Sequence, residues 1–176
     1  MFSPGDVLLY KAQAWKFSNA LAKCIQIITG NQIIHVALYL NGHGDDHFIL
    51  EALSDGVYIK HVTTQEIYHH NRDFELVGIA SLPYTFTNLL TCAEKYNDKK
   101  YGFLTILNLL LQHGMGRLAQ PWKIWFQSKD AYICSQVTQL VLQDAIKNIE
   151  FPKPAAITEP DDYAVFPWKV NVDISL

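Results

Sequence analysis

The sequence has no apolar run long enough to cross a membrane. Its longest such run, from Phe103 to Leu111, is interrupted by Thr105 and Asn108 and is far shorter than the roughly 20 residues that a membrane-spanning helix needs. The chain begins with MFSPGD and shows neither a basic nor an apolar segment before this first turn, so no secretory signal is predicted. We therefore expect no transmembrane span and a cytoplasmic location.

Clusters of basic residues are also missing. The 14 Lys and Arg residues are scattered along the chain, and the formal net charge is −3, with a pI of about 6.1. Proteins that bind nucleic acid usually carry a basic patch or stripe facing the phosphates. The charge pattern therefore disfavours DNA or RNA as a partner.

Cysteine is scarce, which bears on the redox compartment. The chain has Cys24, Cys92 and Cys134, an odd number at wide spacing. This pattern is typical of free thiols in a reducing compartment and not of a disulfide framework. It agrees with the expected cytoplasmic location.

Recognisable metal and phosphate motifs are lacking as well. His43 with His47, and His69 with His70, form two histidine pairs, but no cysteine or carboxylate pattern completes a zinc-binding spacing around them. We interpret these four residues as histidines of surface loops. The sequence also contains no glycine-rich phosphate loop, and we predict neither a metal nor a cofactor.

The chain has enough apolar residues for one well-buried domain. Its 176 residues are 49% hydrophobic, which suits a single domain over residues 1–176 better than two smaller ones. Apolar and alternating runs predict strands, and apolar residues at helical spacing predict helices. The predicted strands are 7–10, 33–40, 47–52, 57–62 and 74–80, and the predicted helices are 16–29, 86–96, 103–114 and one that begins at Cys134.

This order of elements predicts an α+β fold, in which a small, mostly antiparallel sheet packs against helices. Turn signals at Asn41-Gly42 and Asp55-Gly56 separate neighbouring strands. Four prolines after residue 151 predict an extended tail that wraps the domain.

Cys134 stands at the start of the most regular helical pattern. Val137, Leu140, Val141 and Ala145 recur at helical spacing and predict a buried stripe, while glutamines fall towards the other face. The positive end of the helix dipole lowers the pKa of a thiol placed there and favours the nucleophilic thiolate. The alternative is that Cys134 is a small buried residue of the core.

Two further polar residues interrupt apolar strands. His35 lies in a run that is otherwise apolar, and Glu51 follows Phe-Ile-Leu near the end of the next strand. If these strands pair, the carboxylate can reach the imidazole, which could then take a proton from a thiol. Each residue by itself could also be a satisfied polar side chain at the end of a sheet.

Four short segments resemble the NlpC/P60 superfamily of papain-like cysteine hydrolases. They are Gly5–Leu9, His35–Leu40, Ile49–Ala52 and Tyr132–Val137. Because the histidine strand precedes the cysteine, the order is similar to that of the circularly permuted branch, the YiiX/YaeF-like proteins, which are related to lecithin:retinol acyltransferase. The resemblance extends from Gly5 to about Asp162 and implies a permuted papain-like fold.

The resemblance also implies roles for individual residues. Cys134 matches the nucleophile, His35 the general base and Glu51 the residue that orients the histidine, which together form a Cys-His-Glu triad. Tyr101 matches a tyrosine beside the nucleophile that helps to bind the oxyanion with the Cys134 backbone N–H, although it could also be a core aromatic. Gln136 departs from the pattern, because an acidic residue is common at this position.

The predicted function is a cysteine hydrolase that cleaves an amide or ester bond through a thioester acyl-enzyme. The wider superfamily suggests cell-wall peptides or peptidoglycan fragments as substrates, whereas the permuted branch suggests a lipid ester or acyl transfer. A different hypothesis is a non-catalytic binding or structural module, such as a virion or envelope component. Trp122, Trp125 and Phe126 would then form a patch for a protein partner.

Overall fold

The computed structural model describes residues 2–12, 30–70, 74–107, 130–146, 149–165 and 169–171. The predicted helix over 16–29, which contains Cys24, lies outside these residues. The aromatic patch of Trp122, Trp125 and Phe126 lies outside them as well.

The main sheet is antiparallel and confirms the predicted α+β class. Its strands are β1 (Val7–Ala12), β2 (His35–His43), β3 (Asp46–Leu53), β4 (Gly56–Val62), β5 (Phe74–Ser81) and β8 (Lys169–Asn171). They are ordered β4-β3-β2-β1-β5-β8, and every neighbouring pair is antiparallel. The sheet therefore brings β2 and β3, which carry His35 and Glu51, next to each other.

The turn between β2 and β3 lies later than predicted. The sequence signal at Asn41-Gly42 indicated the end of the strand, but β2 continues to His43 and the turn falls at 44–45. A bulge between Tyr39 and Asn41 shifts the register of the pair and lets the strand continue. The turn itself needs a glycine, because Gly44 has a φ of +63°.

Besides residues 103–107, four helices accompany the sheet in the described part of the chain. They are α1 (Thr64–Tyr68), α2 (Leu89–Glu94), α3 (Cys134–Ala145) and α4 (Asp162–Val165). Residues 103–107 are also helical, as the predicted helix over 103–114 requires, and the rest of that predicted helix lies outside the described residues. None of the helices in the described ranges is long and apolar enough to cross a membrane.

The helix predictions are confirmed in part. The helix at Cys134 is present, whereas α2 is shorter than the predicted 86–96, and α1 was not predicted at all. A local signal for α1 existed, because Thr63 and Glu66 form a capping box: the Thr63 N–H donates to the Glu66 carboxylate and the Glu66 N–H donates to the Thr63 hydroxyl.

The sheet separates two apolar cores. Alternate residues of the strands point to opposite faces, and one face packs under α2 and α3 while the other packs under α1. The α3 side includes Val7, Leu9, Val36, Leu38, Leu50, Val137, Val141 and Tyr163. The α1 side includes Leu8, Tyr10, Ala37, Tyr39, Ile49 and Ile67.

Helix α3 is buried on more sides than its sequence predicts. Val137 and Val141 are buried as expected and Gln143 on the other face is exposed, but Gln136 and Gln139 are buried, so the polar face is only partly open to solvent. Residues 149–165 cover that face, and the Gln139 side-chain amide donates to the Lys153 carbonyl at 2.9 Å. A segment distant in sequence thus supplies the partner that solvent would otherwise provide.

The covering segment differs from the predicted extended tail, because it contains a 3₁₀ turn (Ala155–Ile157) and α4. It joins two parts of the molecule that carry candidate site residues. The Ile33 N–H donates to the Asp161 carboxylate at 3.0 Å, and the Tyr163 hydroxyl donates to the Ser135 carbonyl at 2.8 Å. The segment thereby connects Ile33, which lies two residues before β2, to the start of α3.

Candidate active site

Three elements position the residues that the sequence singled out. His35 is the first residue of β2, Glu51 lies in the neighbouring strand β3, and Cys134 is the first residue of α3. Helix α3 packs across β2 and β3. All three side chains are buried, so the fold brings together a thiol, an imidazole and a carboxylate away from bulk water.

A short parallel pair of strands sets where α3 begins. Strand β6 (Lys100–Tyr101) pairs with β7 (Ala131–Tyr132), with Tyr101 opposite Tyr132. Only Ile133 separates β7 from Cys134, and its extended backbone makes it the N-cap of the helix. The cysteine is therefore fixed at the first helical position.

The imidazole of His35 is held by Glu51. The two side chains approach at 3.2 Å between Nε2 of His35 and Oε2 of Glu51. A carboxylate can only accept a hydrogen bond, so Nε2 carries the proton in this contact. The Cys134 thiol lies near enough to the same imidazole for each group to affect the pKa of the other.

The surroundings of Cys134 favour its thiolate. Burial by itself would raise the thiol pKa, but the charge and hydrogen bond of His35 lower it, as do backbone hydrogen bonds from Val36 and Ser135, and the net effect is a lowered pKa. Ile133 contributes no side-chain cap. The first N–H groups of α3 are thus left for an anion.

The pKa of the imidazole moves in the opposite direction. Burial lowers the pKa of His35, yet its contacts with Cys134 and then Glu51 outweigh burial and raise it to about 9. A lowered thiol pKa beside a raised imidazole pKa favours a thiolate–imidazolium pair at neutral pH. Because the two groups titrate together, these values belong to the pair.

Glu51 has more partners than the sequence predicted. Its Oε2 lies 2.6 Å from Nε2 of His70, and its Oε1 lies 2.9 Å from Nζ of Lys60. Burial would raise the pKa of Glu51, but the hydrogen bonds and charges of His35 and His70 hold it well below its usual range. The carboxylate is therefore ionised at neutral pH.

The prediction that the paired histidines lie in surface loops was wrong for two of them. His70 is buried against Glu51, and His47 is buried between the Tyr39 hydroxyl and the Thr64 hydroxyl, at 3.0 Å and 2.9 Å. The other two, His43 and His69, are exposed. Tertiary contacts decide these positions, and the histidine spacing alone carries no information about them.

Sequence reasoning could have found Lys60 but had no local signal for His70. The hairpin turn at 54–55 pairs Glu51 with Tyr58, and Lys60 is two residues further along the same face, within reach of a long side chain. His70 follows α1 in a connection whose path depends on the packing of that helix.

Tyr101 lies close enough to Cys134 for the charge of a Cys134 thiolate to affect the pKa of the Tyr101 phenol. Burial raises the pKa of the Tyr101 phenol, and the nearby Cys134 raises it further. Its hydroxyl is therefore neutral and able to donate a hydrogen bond at neutral pH. Tyr163 also lies near the sulfur, but its hydroxyl donates to the Ser135 carbonyl.

Three of these side chains are also close enough to share a metal ion. One donor atom from each of His35, Glu51 and His70 lies within 4.8 Å of the others. The 2.6 Å contact between His70 and Glu51 is typical of a charge-assisted hydrogen bond. Ligands about 2.0–2.2 Å from a tetrahedral ion are further apart than this, so an ion would require the two side chains to separate.

Comparison with known proteins adds no assignment. No protein-family model matches the chain, and no curated protein matches it. The resemblance to the permuted NlpC/P60 branch stays a prediction.

Proposed function

We propose that the protein is a cysteine hydrolase that cleaves an amide or ester bond through a thioester acyl-enzyme. The observation that carries this proposal is that the buried Cys134, at the start of α3, lies beside His35, whose Nε2 is 3.2 Å from Oε2 of Glu51. A thiol, an imidazole that accepts its proton and a group that orients the imidazole are the parts that covalent catalysis by cysteine needs.

The proposed reaction has two steps. The Cys134 thiolate attacks the carbonyl carbon of the substrate, and the protonated His35 gives its proton to the leaving amine or alcohol as the C–N or C–O bond breaks. Water then attacks the thioester carbonyl while the neutral His35 takes up a proton from it. The C–S bond breaks, which releases the acid and returns the thiolate–imidazolium pair.

The negative oxygen of each tetrahedral intermediate needs hydrogen-bond donors. The uncapped start of α3 supplies backbone N–H groups, including that of Cys134, and the neutral Tyr101 hydroxyl is the candidate side-chain donor. Donors fixed in place before the reaction stabilise such an oxyanion more than they stabilise the substrate carbonyl.

The buried charges favour catalysis over a purely structural role. Glu51 is completely buried and is surrounded by His35, His70 and Lys60. Removing such a cluster from water costs several kcal/mol per ion, and well-packed apolar residues would often give equal or greater stability. A module that only binds a partner has no need for this arrangement.

The proposal is tested by selective alkylation followed by turnover. Wild-type protein is treated with iodoacetamide at pH 6.5, and the labelled peptides are quantified by mass spectrometry. Cys134 should be labelled much faster than Cys92, which is equally buried but whose pKa is raised by burial.

Turnover is then measured with a panel of activated esters, acylated peptides and phospholipids. We expect a thioester on Cys134 to accumulate with at least one ester, and Cys134→Ala to remove both the adduct and hydrolysis. Slow labelling of Cys134, or hydrolysis that survives Cys134→Ala, would refute the proposal. The panel also separates peptide from lipid substrates.

A further inference from the structure

His70 approaches Glu51 more closely than His35 does. The distance to Oε2 is 2.6 Å from Nε2 of His70, against 3.2 Å from Nε2 of His35. Since both imidazoles use the same oxygen, the position of that oxygen is determined as much by His70 as by His35.

The ring of His70 is itself fixed by aromatic neighbours. It stacks on His35 with an interplanar angle of 10° and a centroid distance of 5.8 Å, and it also contacts Tyr10 and Phe74. A side chain so tightly packed is a rigid donor. It can therefore hold the carboxylate in one place, which a mobile surface residue could not do.

The partners of Glu51 keep its carboxylate ionised although it is buried. The carboxylate is fully buried, and burial without compensation would favour its neutral form. The charged and titratable groups that surround it or its partner imidazole are His35 on β2, Lys60 on β4, His70 after α1, Tyr10 on β1 and Cys134 on α3.

We propose that His70 is a positioning residue of the hydrolase site, which holds the Glu51 carboxylate ionised and in reach of His35 and so supports the reactive pair of His35 and Cys134. This inference rests on the proposed function. In this role the effect of His70 on Cys134 passes through Glu51 and then His35.

The test uses two replacements of His70 and one matched control. His70→Phe keeps a ring for stacking but removes the donor, whereas His70→Gln keeps an N–H that can reach Oε2. His47→Phe is the control, because His47 is also a buried imidazole with two hydrogen bonds but has no contact with Glu51. Circular dichroism and thermal melting establish that each variant is folded.

The readout is the rate of Cys134 alkylation against pH. We expect His70→Phe to lower the rate at pH 6 by about tenfold, in the range of other losses of a supporting hydrogen bond, and to move the profile to higher pH. His70→Gln and His47→Phe should keep profiles close to that of the wild type. A His70→Gln variant as slow as His70→Phe would overturn the proposed hydrogen-bond role.

A double-mutant cycle tests whether His70 acts through Glu51. In the Glu51→Gln background, His70→Phe should cause no further change in the profile, because the group that transmits its effect is already neutral. Additive effects of the two substitutions would overturn the proposal. The proposal would also be overturned if EDTA or added Zn²⁺ changed the alkylation profile of the wild type but not that of His70→Phe. His70 would then act as a metal ligand.

The two proposals fail in distinguishable ways. If Cys134 of the wild type reacts no faster than Cys92, the hydrolase proposal fails, whatever His70 does. If Cys134 is reactive and His70→Phe leaves its profile unchanged, the role of His70 alone is refuted.

Discussion

Cys134 and Cys92 are equally buried, with 5% and 4% of their surfaces exposed, yet their surroundings shift the pKa values of the two thiols in opposite directions. Burial raises the pKa of Cys92, whereas the pKa of Cys134 is lowered despite burial. The comparison shows that the partners of a buried thiol, and not its exposure, decide whether it is poised to react.

The difference follows from where each cysteine lies in its helix. Cys92 lies inside α2, and its N–H donates to the Asn88 carbonyl within that helix. Its nearest cation, Lys95, lowers the thiol pKa by less than burial raises it. Cys134 instead begins α3, where backbone N–H groups and the His35 imidazole all face the sulfur.

Removing each thiol in turn should show the largest difference between Cys134 and Cys92. We expect Cys134→Ala to reduce turnover by about 10³-fold or more, since a nucleophile has no substitute in covalent catalysis. Cys92→Ala should leave kcat unchanged and only lower the melting temperature. Steady-state kinetics on the substrate found by the panel checks both, and loss of turnover in Cys92→Ala would contradict the contrast drawn here.

Removing the base should be nearly as severe. His35→Ala should also abolish turnover, because the thiolate loses its stabilising charge and the leaving group loses its proton donor. The measurement is kcat/KM together with circular dichroism, which should show an intact fold. If His35→Ala kept near-wild-type turnover, the assignment of His35 as the base would be wrong.

The two thiols should also differ in how their alkylation rates depend on pH. Alkylation of Cys134 should persist well below the free-thiol pKa of about 8.5, whereas Cys92 should react only above it. In His35→Ala the Cys134 profile should move to higher pH, because the imidazolium that stabilised the thiolate is gone. Overlapping profiles for wild type and His35→Ala would show that His35 does not activate the thiol.

The pair of Cys134 and His35 also predicts a bell-shaped dependence of kcat/KM on pH. Activity rises with pH as the thiol of the pair ionises, and it falls as the His35 imidazolium loses the proton that the leaving group needs, with a pKa of about 9. A profile that keeps rising above pH 10 would contradict this role of the imidazolium.

Neutralising the carboxylate should have a smaller effect than removing the imidazole. Glu51→Gln can still accept a hydrogen bond from His35, but it cannot stabilise the imidazolium with a charge. We expect kcat to fall by about 10- to 100-fold, measured at the pH optimum of the wild type. Lys60→Met removes the cation beside the other oxygen of Glu51 and serves as a comparison. It should lower kcat by less than Glu51→Gln does, because Lys60 is partly exposed.

Tyr101→Phe should give the smallest effect of the series. The substitution removes one hydroxyl and keeps the ring, so we expect kcat to fall by about tenfold or less, with the backbone N–H groups of α3 still supporting the oxyanion. Tyr96→Phe is the matched control, because its hydroxyl donates to Asp144 at 3.4 Å and belongs to the surroundings of Cys92. Equal effects of the two substitutions would argue against an oxyanion role for Tyr101.

Local sequence patterns determined the strands and the start of the cysteine helix. Alternation and β-branched residues predicted β1 to β5, and helical spacing after Cys134 predicted α3. These patterns can be recognised because burial of one face imposes a fixed period on the sequence. Polar interruptions of those patterns at His35 and Glu51 pointed to the residues that the fold brings beside Cys134.

Tertiary structure alone decided that His70 and Gln139 are buried beside their partners. His70 is buried on Glu51, and Gln139 is buried under the covering segment at Lys153, although nothing in their local sequence distinguishes them from exposed residues. Whether a polar side chain is buried depends on segments that are far away in sequence and that pack over it. The free energy of a buried charge likewise depends on all partners around it, which are assembled only when the chain has folded.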